Sequence, residues 1–170
     1  MSTSAQIQTG LHIRPATRED VPVILQLIRD LATYERATEA AVAKPEDLLR
    51  DGFGPEPKFR VVIAEWDGQP AGFALFFFNY STWQGRPGLF LEDLFVRPEF
   101  RGKGVGKALL VHLAQIAVRE NCGRFVWQVL DWNTPAIEFY KSLGAKVLDD
   151  WLTMRVEGEA LEKLVESDKR

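Results

Sequence analysis

Cysteine is almost absent from this sequence: Cys122 stands alone, which excludes an internal disulfide and a cysteine-based zinc site and leaves a small packed residue. Histidine is nearly as scarce. His12 falls in a first strand and His112 inside a helix, and neither belongs to a nucleophile triad or a cluster with metal-ligand spacing, so no metal is expected. Positive charge is not in excess either. A formal net charge of −3 argues against a nucleic-acid partner and leaves room for a cationic substrate. No apolar run reaches the roughly 20 residues that a membrane helix needs. Residues 1–10 lack the basic-then-apolar layout of a signal peptide, so a reducing, cytoplasmic setting without a membrane partner is expected. Repeats, low-complexity tracts and linkers are also missing. The 170 residues are therefore read as one domain over 11–166 behind a disordered tail, 1–10.

What the sequence does have is a globular composition, 46% hydrophobic and 26% charged. Leu11–Arg14 reads as a strand closed by Pro15. Thr17 and Asp20 open a helix in which Val21, Ile24, Leu25, Ile28, Leu31 and Ala32 share one face. Pro45 suits the first position of a short helix that runs through Leu49 and stops near Gly52. Phe59 to Trp66 and Ala71 to Tyr80 are strands joined by the hairpin signal Asp67-Gly68. Leu89 to Val96 follows as a third strand after Arg86-Pro87-Gly88, which makes an antiparallel meander. Beyond it come a helix from about Gly104 to Asn121, a strand from Arg124 to Leu130 and a helix from Pro135 to Leu143 with Gly144 at its end. Val147-Leu148 and Leu152 to Val156 suggest a closing hairpin, and Glu159 to Val165 a last helix. The unit 89–130 is expected to be a parallel, right-handed crossover. The predicted class is α/β (α+β by another bookkeeping): a mixed, mainly antiparallel central sheet flanked by helices.

Two motifs carry chemistry. The first is Arg101-Gly102-Lys103-Gly104-Val105-Gly106, placed where a strand ends and a helix begins. Glycines let backbone N–H groups come close to a ligand. The first N–H groups of a helix lack internal partners and its dipole makes that end electropositive, so it binds phosphate. Arg101, Lys103 and Lys107 add positive charge, and a pyrophosphate site follows. The order is neither G-x-x-x-x-G-K-[ST] nor an opening G-x-G-x-x-G, which removes a nucleotide-hydrolysing loop and a dinucleotide fold. Alone, the motif also fits a tight turn with solvated charges.

The second is Asn133-Thr134-Pro135-Ala136 through Phe139-Tyr140 to Gly144-Ala145. Asn133 can cap the helix that follows, and Tyr140 taken singly also fits a core aromatic. R-x-x-G-x-G followed about 30 residues later by N-x-x-A-x-x-F-Y-x-x-x-G-A is a pairing that chance rarely supplies. The chain resembles the GNAT superfamily of N-acetyltransferases (the acyl-CoA N-acyltransferase fold). It looks closer still to the spermidine/spermine and thialysine N-acetyltransferase branch, through Ile13–Thr17, Leu31–Glu35, Asp47–Gly54, Tyr80–Trp83, Leu91–Asp93 and Trp132-Asn133.

That resemblance implies acetyl transfer from acetyl-CoA to an amine by direct attack. Glu92 would take a proton from the amine through water, and Tyr140 would protonate the departing thiolate. Leu94, Phe95 and Val96 would hold the pantetheine arm through their backbone, with an N–H in Phe95-Val96 on the thioester oxygen. Arg101, Gly102, Lys103, Gly104, Val105, Gly106 and Lys107 would hold the pyrophosphate. Asn133, Thr134, Pro135 and Ala136 would line the other wall of the cleft. Tyr34, Glu35, Trp83, Glu92, Asp93 and Trp132 match positions near the amine, where carboxylates and aromatic faces suit a cation. Strand alternation puts Glu92 with Leu94 and Asp93 with Phe95, on opposite faces unless a bulge intervenes. Arg36, Ala37, Ala40 and Ala41 stand where acidic residues would help a long polyamine, so a diamine or a lysine-like amino acid such as thialysine fits at least as well as spermine. A homodimer is implied too. Acetylation of protein N-termini or lysines, and a non-catalytic acyl-CoA-binding module, are the alternatives; retention of both Glu92 and Tyr140 speaks against the module.

Overall fold

Asp67 and Gly68 both have positive φ, 48° and 77°, as a two-residue turn matching the right-handed twist of strands requires. They join β2 (Arg60–Trp66) to β3 (Gln69–Ser81), with Trp66 opposite Gln69. This is a computed structural model, and it describes residues 10–167. Of the disordered tail expected over 1–10, residues 1–9 lie outside the described residues, and Gly10 N donates to Asp67 Oδ1 at 2.6 Å. The chain forms two compact units that divide after Gln128.

The first unit holds a five-stranded sheet in the order β1-β2-β3-β4-β5. β1 (Leu11–Pro15), β2, β3 and β4 (Arg86–Val96) are antiparallel neighbours, and β5 (Arg124–Trp127) runs parallel to β4. The mixed, mainly antiparallel sheet predicted from the sequence is therefore present. α1 (Val21–Tyr34) and α2 (Pro45–Phe53) pack on one face. There Ile24, Leu27 and Leu48 share a core cluster with Ile63, Phe73, Leu75 and Phe95. α3 (Val105–Arg119) lies against the same strands but outside that cluster, on the other face, and buries Val105, Leu109 and Leu113 completely or nearly so.

Two boundaries differ from expectation. β4 starts at Arg86, so Pro87 and Gly88 belong to the strand and the turn is Thr82–Gly85, with Gly85 at φ 62°. Gly88 is a close-approach glycine, not a turn glycine: a Cβ there would strike the Asn79 side-chain oxygen and the Arg124 side chain. β5 stops at Trp127, not Leu130, because its last partner Leu91 is followed on β4 by an irregularity that bends the strand.

The second unit contains α4 (Thr134–Ser142) and α5 (Glu159–Glu166). The closing hairpin expected over 147–156 is not formed; these residues carry no strand, and Val147, Leu148, Trp151, Leu152 and Met154 are exposed. Apolar alternation describes the faces of a strand, but a strand also needs a neighbour for its backbone groups, and no ladder reaches this segment among the described residues.

The entry to α1 is fixed electrostatically. Asp20 accepts from Thr17 N at 2.7 Å and from both terminal nitrogens of Arg14 at 2.7 and 2.9 Å, while Arg14 Nε reaches Glu65 at 2.9 Å. The Arg14 guanidinium is the main reason that Asp20 is held down at about 2. Arg14→Met should lower stability at pH 7 by about 1–2 kcal/mol, the range of charge-assisted pairs that are only partly buried. Asp20 titrates lower in the folded state than unfolded, so its contribution is intact above about pH 4 and fades as pH falls toward 2. Thermal denaturation of both proteins from pH 7 to pH 2.5 checks this: the gap in Tm should narrow with acid.

Candidate functional site

The glycine-rich motif forms the link from β4 to α3. After Val96 the chain makes a short turn at Pro98–Phe100 and passes through Arg101–Gly104 into the helix. Gly102 and Gly104 have φ of 73° and 81°, which a side chain resists. A Cβ at either would meet nothing within 4 Å, so the backbone there faces open space. The first bond of α3 runs from Ala108 N to Gly104 O at 3.0 Å. The N–H groups of Val105, Gly106 and Lys107 thus point out of the helix end unpaired within it. This geometry suits a pyrophosphate.

The cations of the loop lie against aromatic rings. The Arg101 guanidinium lies 4.8 Å from the Tyr34 ring centroid and 5.5 Å from that of Phe95. Lys103 Nζ stands 5.2 Å from the Trp66 ring and 5.3 Å from Phe100. Both exposed side chains lie over aromatic faces beside the open backbone of the loop. Lys107, on the first turn of α3, is exposed.

β4 supplies the second half of the cleft. β5 covers it only from Gly88 to Leu91. From Glu92 to Val96 that side of β4 has no strand partner among the described residues, so the backbone of Leu94, Phe95 and Val96 can pair with an extended ligand.

The irregularity in β4 decides where its two acids go. Phe76 pairs with Leu91 and Leu75 with Asp93, so Glu92 is an extra residue with none opposite. Side chains directly opposite share a face. Asp93 therefore lies with Leu75 and Phe95 on the face of α1, and Leu91 on the other. Glu92, between them, is exposed. Asp93 is half-buried and pushed up to about 6, chiefly by burial and then by the negative charges of Glu92 and Glu35. Partial burial raises Glu35 as well. Glu35 caps the C-terminal end of α1, directly after Tyr34. Among the described residues, neither Glu35 nor Asp93 forms an ion pair. Tyr34, Glu35, Asp93, Phe95 and Arg101 are thus brought together. Trp83 is not: it stands 89% exposed on the β3–β4 turn, with the strand from Arg86 to Asp93, roughly 20 Å, in between. Sequence reasoning raised the bulge only as a condition and missed the docking of Arg101 on Tyr34.

The remaining candidates lie on the second unit. Asn133 caps α4, its Oδ1 accepting from Ala136 N at 3.4 Å, with Thr134 and Pro135 in the first turn. Tyr140 is half-buried near the end of α4, its ring 5.5 Å from Phe139. Gly144, at φ 91°, ends the helix, its N–H donating to Lys141 O at 2.9 Å. Trp132 is exposed just ahead of the helix.

Comparison with known proteins agrees with this geometry. The sequence model of the acetyltransferase (GNAT) family matches residues 24–145. The thialysine N-epsilon-acetyltransferase of Sus scrofa is 40% identical over 163 residues, covering 89% of this chain and 95% of that protein. An L-ornithine N5-acetyltransferase of Arabidopsis thaliana is 32% identical over 197 residues, covering 89% and 86%. A solved structure, an integron cassette protein from the mobile metagenome of V. cholerae, superposes with a TM-score of 0.79 at 28% identity, covering 94% of this chain and 99% of that one. Enzymes of this family use acetyl-CoA. A glycine-rich helix entry, a strand edge open for an extended arm, and these matches over most of the length make the chain a member of the acetyltransferase (GNAT) family, in the branch of its thialysine-type relatives.

Proposed function

We propose that the chain transfers the acetyl group of acetyl-CoA to a primary amine of a small cationic substrate, a diamine or a lysine-like amino acid such as thialysine. The observation that carries this reading is the half-buried carboxylate of Asp93 beside the exposed one of Glu35, both raised by desolvation, with no ion pair to either among the described residues. A substrate ammonium would relieve that cost. The similarity to relatives named for thialysine and L-ornithine supports the same class. Arg36 next to Glu35 and the apolar Ala37, Ala40 and Ala41 favour a short substrate over a long polyamine.

Acetyl-CoA supplies an activated acetyl thioester; the rest of the work belongs to the protein. The amides of Gly102 to Lys107 would hold the pyrophosphate, and the backbone of Leu94 to Val96 the pantetheine arm. An N–H in Phe95-Val96 would stabilise negative charge on the thioester oxygen. The attacking amine must be neutral, although a free alkyl ammonium has a pKa near ~10.4. Glu92, exposed at the bulge, would take its proton through a water. Asp93, Glu35 and Tyr34 would hold a second positive group, with Trp132 as a further aromatic contact. Tyr140 would give its phenolic proton to the leaving thiolate, with Asn133 to Ala136 lining the coenzyme cleft. The same reading takes 11–166 as one catalytic domain, working as a cytoplasmic homodimer.

Acetyl-CoA incubated with a panel of diamines, lysine analogues and peptides, read by thiol release, tests the proposal. Turnover on small amines supports it; activity confined to peptides would transfer the reading to protein acetylation. Glu92→Gln should reduce kcat/KM at neutral pH at least tenfold and flatten the acid limb of the pH–rate profile. A profile identical to that of the wild type would reject Glu92 as the base.

A further inference from the structure

Arg97 N donates to Ala71 O at 2.9 Å, where the start of β3 meets the end of β4. In an antiparallel ladder the next pair inward, Gly72 and Val96, is then a non-hydrogen-bonded pair, the kind in which two backbones come closest. The N–H of Val96 therefore points away from β3, to the side of β4 that has no strand partner among the described residues. Gly72 is buried, and its missing side chain allows the approach. A Cβ on Gly72 would strike the Phe95 carbonyl oxygen and stand 3.2 Å from Val96 Cα and 3.3 Å from Val96 Cγ2. The same Cγ2 lies 3.7 Å from the place a Cβ of Gly106 would take, in the first turn of α3. Val96 is thus seated between a glycine of β3 and a glycine of the helix entry.

We infer that Gly72 is a positioning residue for the coenzyme. By admitting Val96 to this depth, it fixes the span between the β4 edge that pairs with the pantetheine arm and the helix entry that holds the pyrophosphate. The Phe95 oxygen and the Val96 N–H belong to one rigid peptide plane. A methyl group at position 72 meets backbone, which no rotamer change can clear. The plane must shift, and the Val96 N–H moves with it. Arm and pyrophosphate are covalently joined in the coenzyme, so a displaced edge breaks the match between the two halves even while each half stays formed. This rests on the proposed seating of acetyl-CoA along β4 and is independent of which amine is acetylated.

Calorimetry on the wild type, Gly72→Ala and Gly88→Ala tests it, with CoA and with the phosphoadenosine diphosphate half that lacks the arm. Gly72→Ala should raise the Kd of CoA about tenfold, on the order of one hydrogen bond lost, and keep that of the nucleotide half within about twofold. Its kcat/KM for acetyl-CoA should fall at least about tenfold, because the thioester rides on the displaced arm. Gly88→Ala strains the same pair of strands against Asn79 and Arg124, roughly 25 Å along β4. It should lower Tm and leave both Kd values as in the wild type. Should Gly72→Ala not fold, Val96→Ala, which keeps the glycine and removes the side chain seated on it, should show the same split at about threefold. A Kd for CoA unchanged by Gly72→Ala, or CoA and its nucleotide half weakened equally, would overturn the inference. A wild type that binds CoA no better than the nucleotide half would refute the proposed seat of the arm itself.

Discussion

Under the proposed mechanism, replacing Tyr140 by Phe should lower kcat about 10²-fold or more and leave acetyl-CoA binding in place. The substitution removes one oxygen and keeps the ring that packs near Phe139 at the end of α4. The cap at Asn133 and the Gly144 terminus are untouched, so the helix persists. What is lost is a proton donor. A phenol, with an ordinary pKa near ~10, remains protonated at neutral pH and can still surrender its proton to a thiolate. Without that donor the thiolate would depart unprotonated. Steady-state kinetics, paired with calorimetry of CoA binding, separates the two effects. Unchanged turnover would remove Tyr140 from the reaction.

Replacing Asp93 by Asn has the second large effect, and it acts in opposite directions on stability and on binding. Asp93 titrates near 6 in the folded chain, against about 3.9 when unfolded. Between those values the folded state holds the proton more tightly, so stability falls as pH rises from about 4 to 6 and stays reduced above that. A gap of about two units corresponds to a penalty of at most about 3 kcal/mol. Asparagine carries no charge and escapes it. The variant should therefore melt at a higher temperature than the wild type at pH 7.5, by about 1–3 kcal/mol of stability, and at nearly the same temperature at pH 4. Under the proposed function the amine KM should rise at least tenfold, because one of the two acids proposed to hold the ammonium is gone. Matching melting curves at both pH values would show that Asp93 carries no such cost.

Much of the architecture was legible because local chemistry and long-range packing agree. The spacing of Val21, Ile24, Leu25, Ile28 and Leu31 is helical and their helix is amphipathic in the structure. Asp67-Gly68 asks for a tight hairpin and makes one. The glycine motif needs a strand before it and a helix after it, and has both. The failures occur where one residue's environment depends on a distant partner. Gly88 reads as a turn but is required by the Asn79 and Arg124 side chains beside it. Val147 to Val156 alternates like a strand but has no ladder. The bulge at Glu92 leaves no composition signal, since it arises from pairing with β3. Aromatic docking of Arg101 and Lys103 was hidden because charge alone suggests an anion.

The extra residue in β4 has a consequence for how such a protein diverges. Neighbouring acids in a regular strand would be tied to strict alternation, each mirrored by a fixed position on β3. Here Glu92 answers to no opposite residue, whereas Asp93 is registered against Leu75. Under the proposed roles, proton removal and amine choice sit on adjacent codons yet answer to separate surroundings. A lineage can exchange the acid at 93 to take up a new amine without disturbing the proton path at 92, which makes this short stretch of strand a natural point for substrate preference to drift.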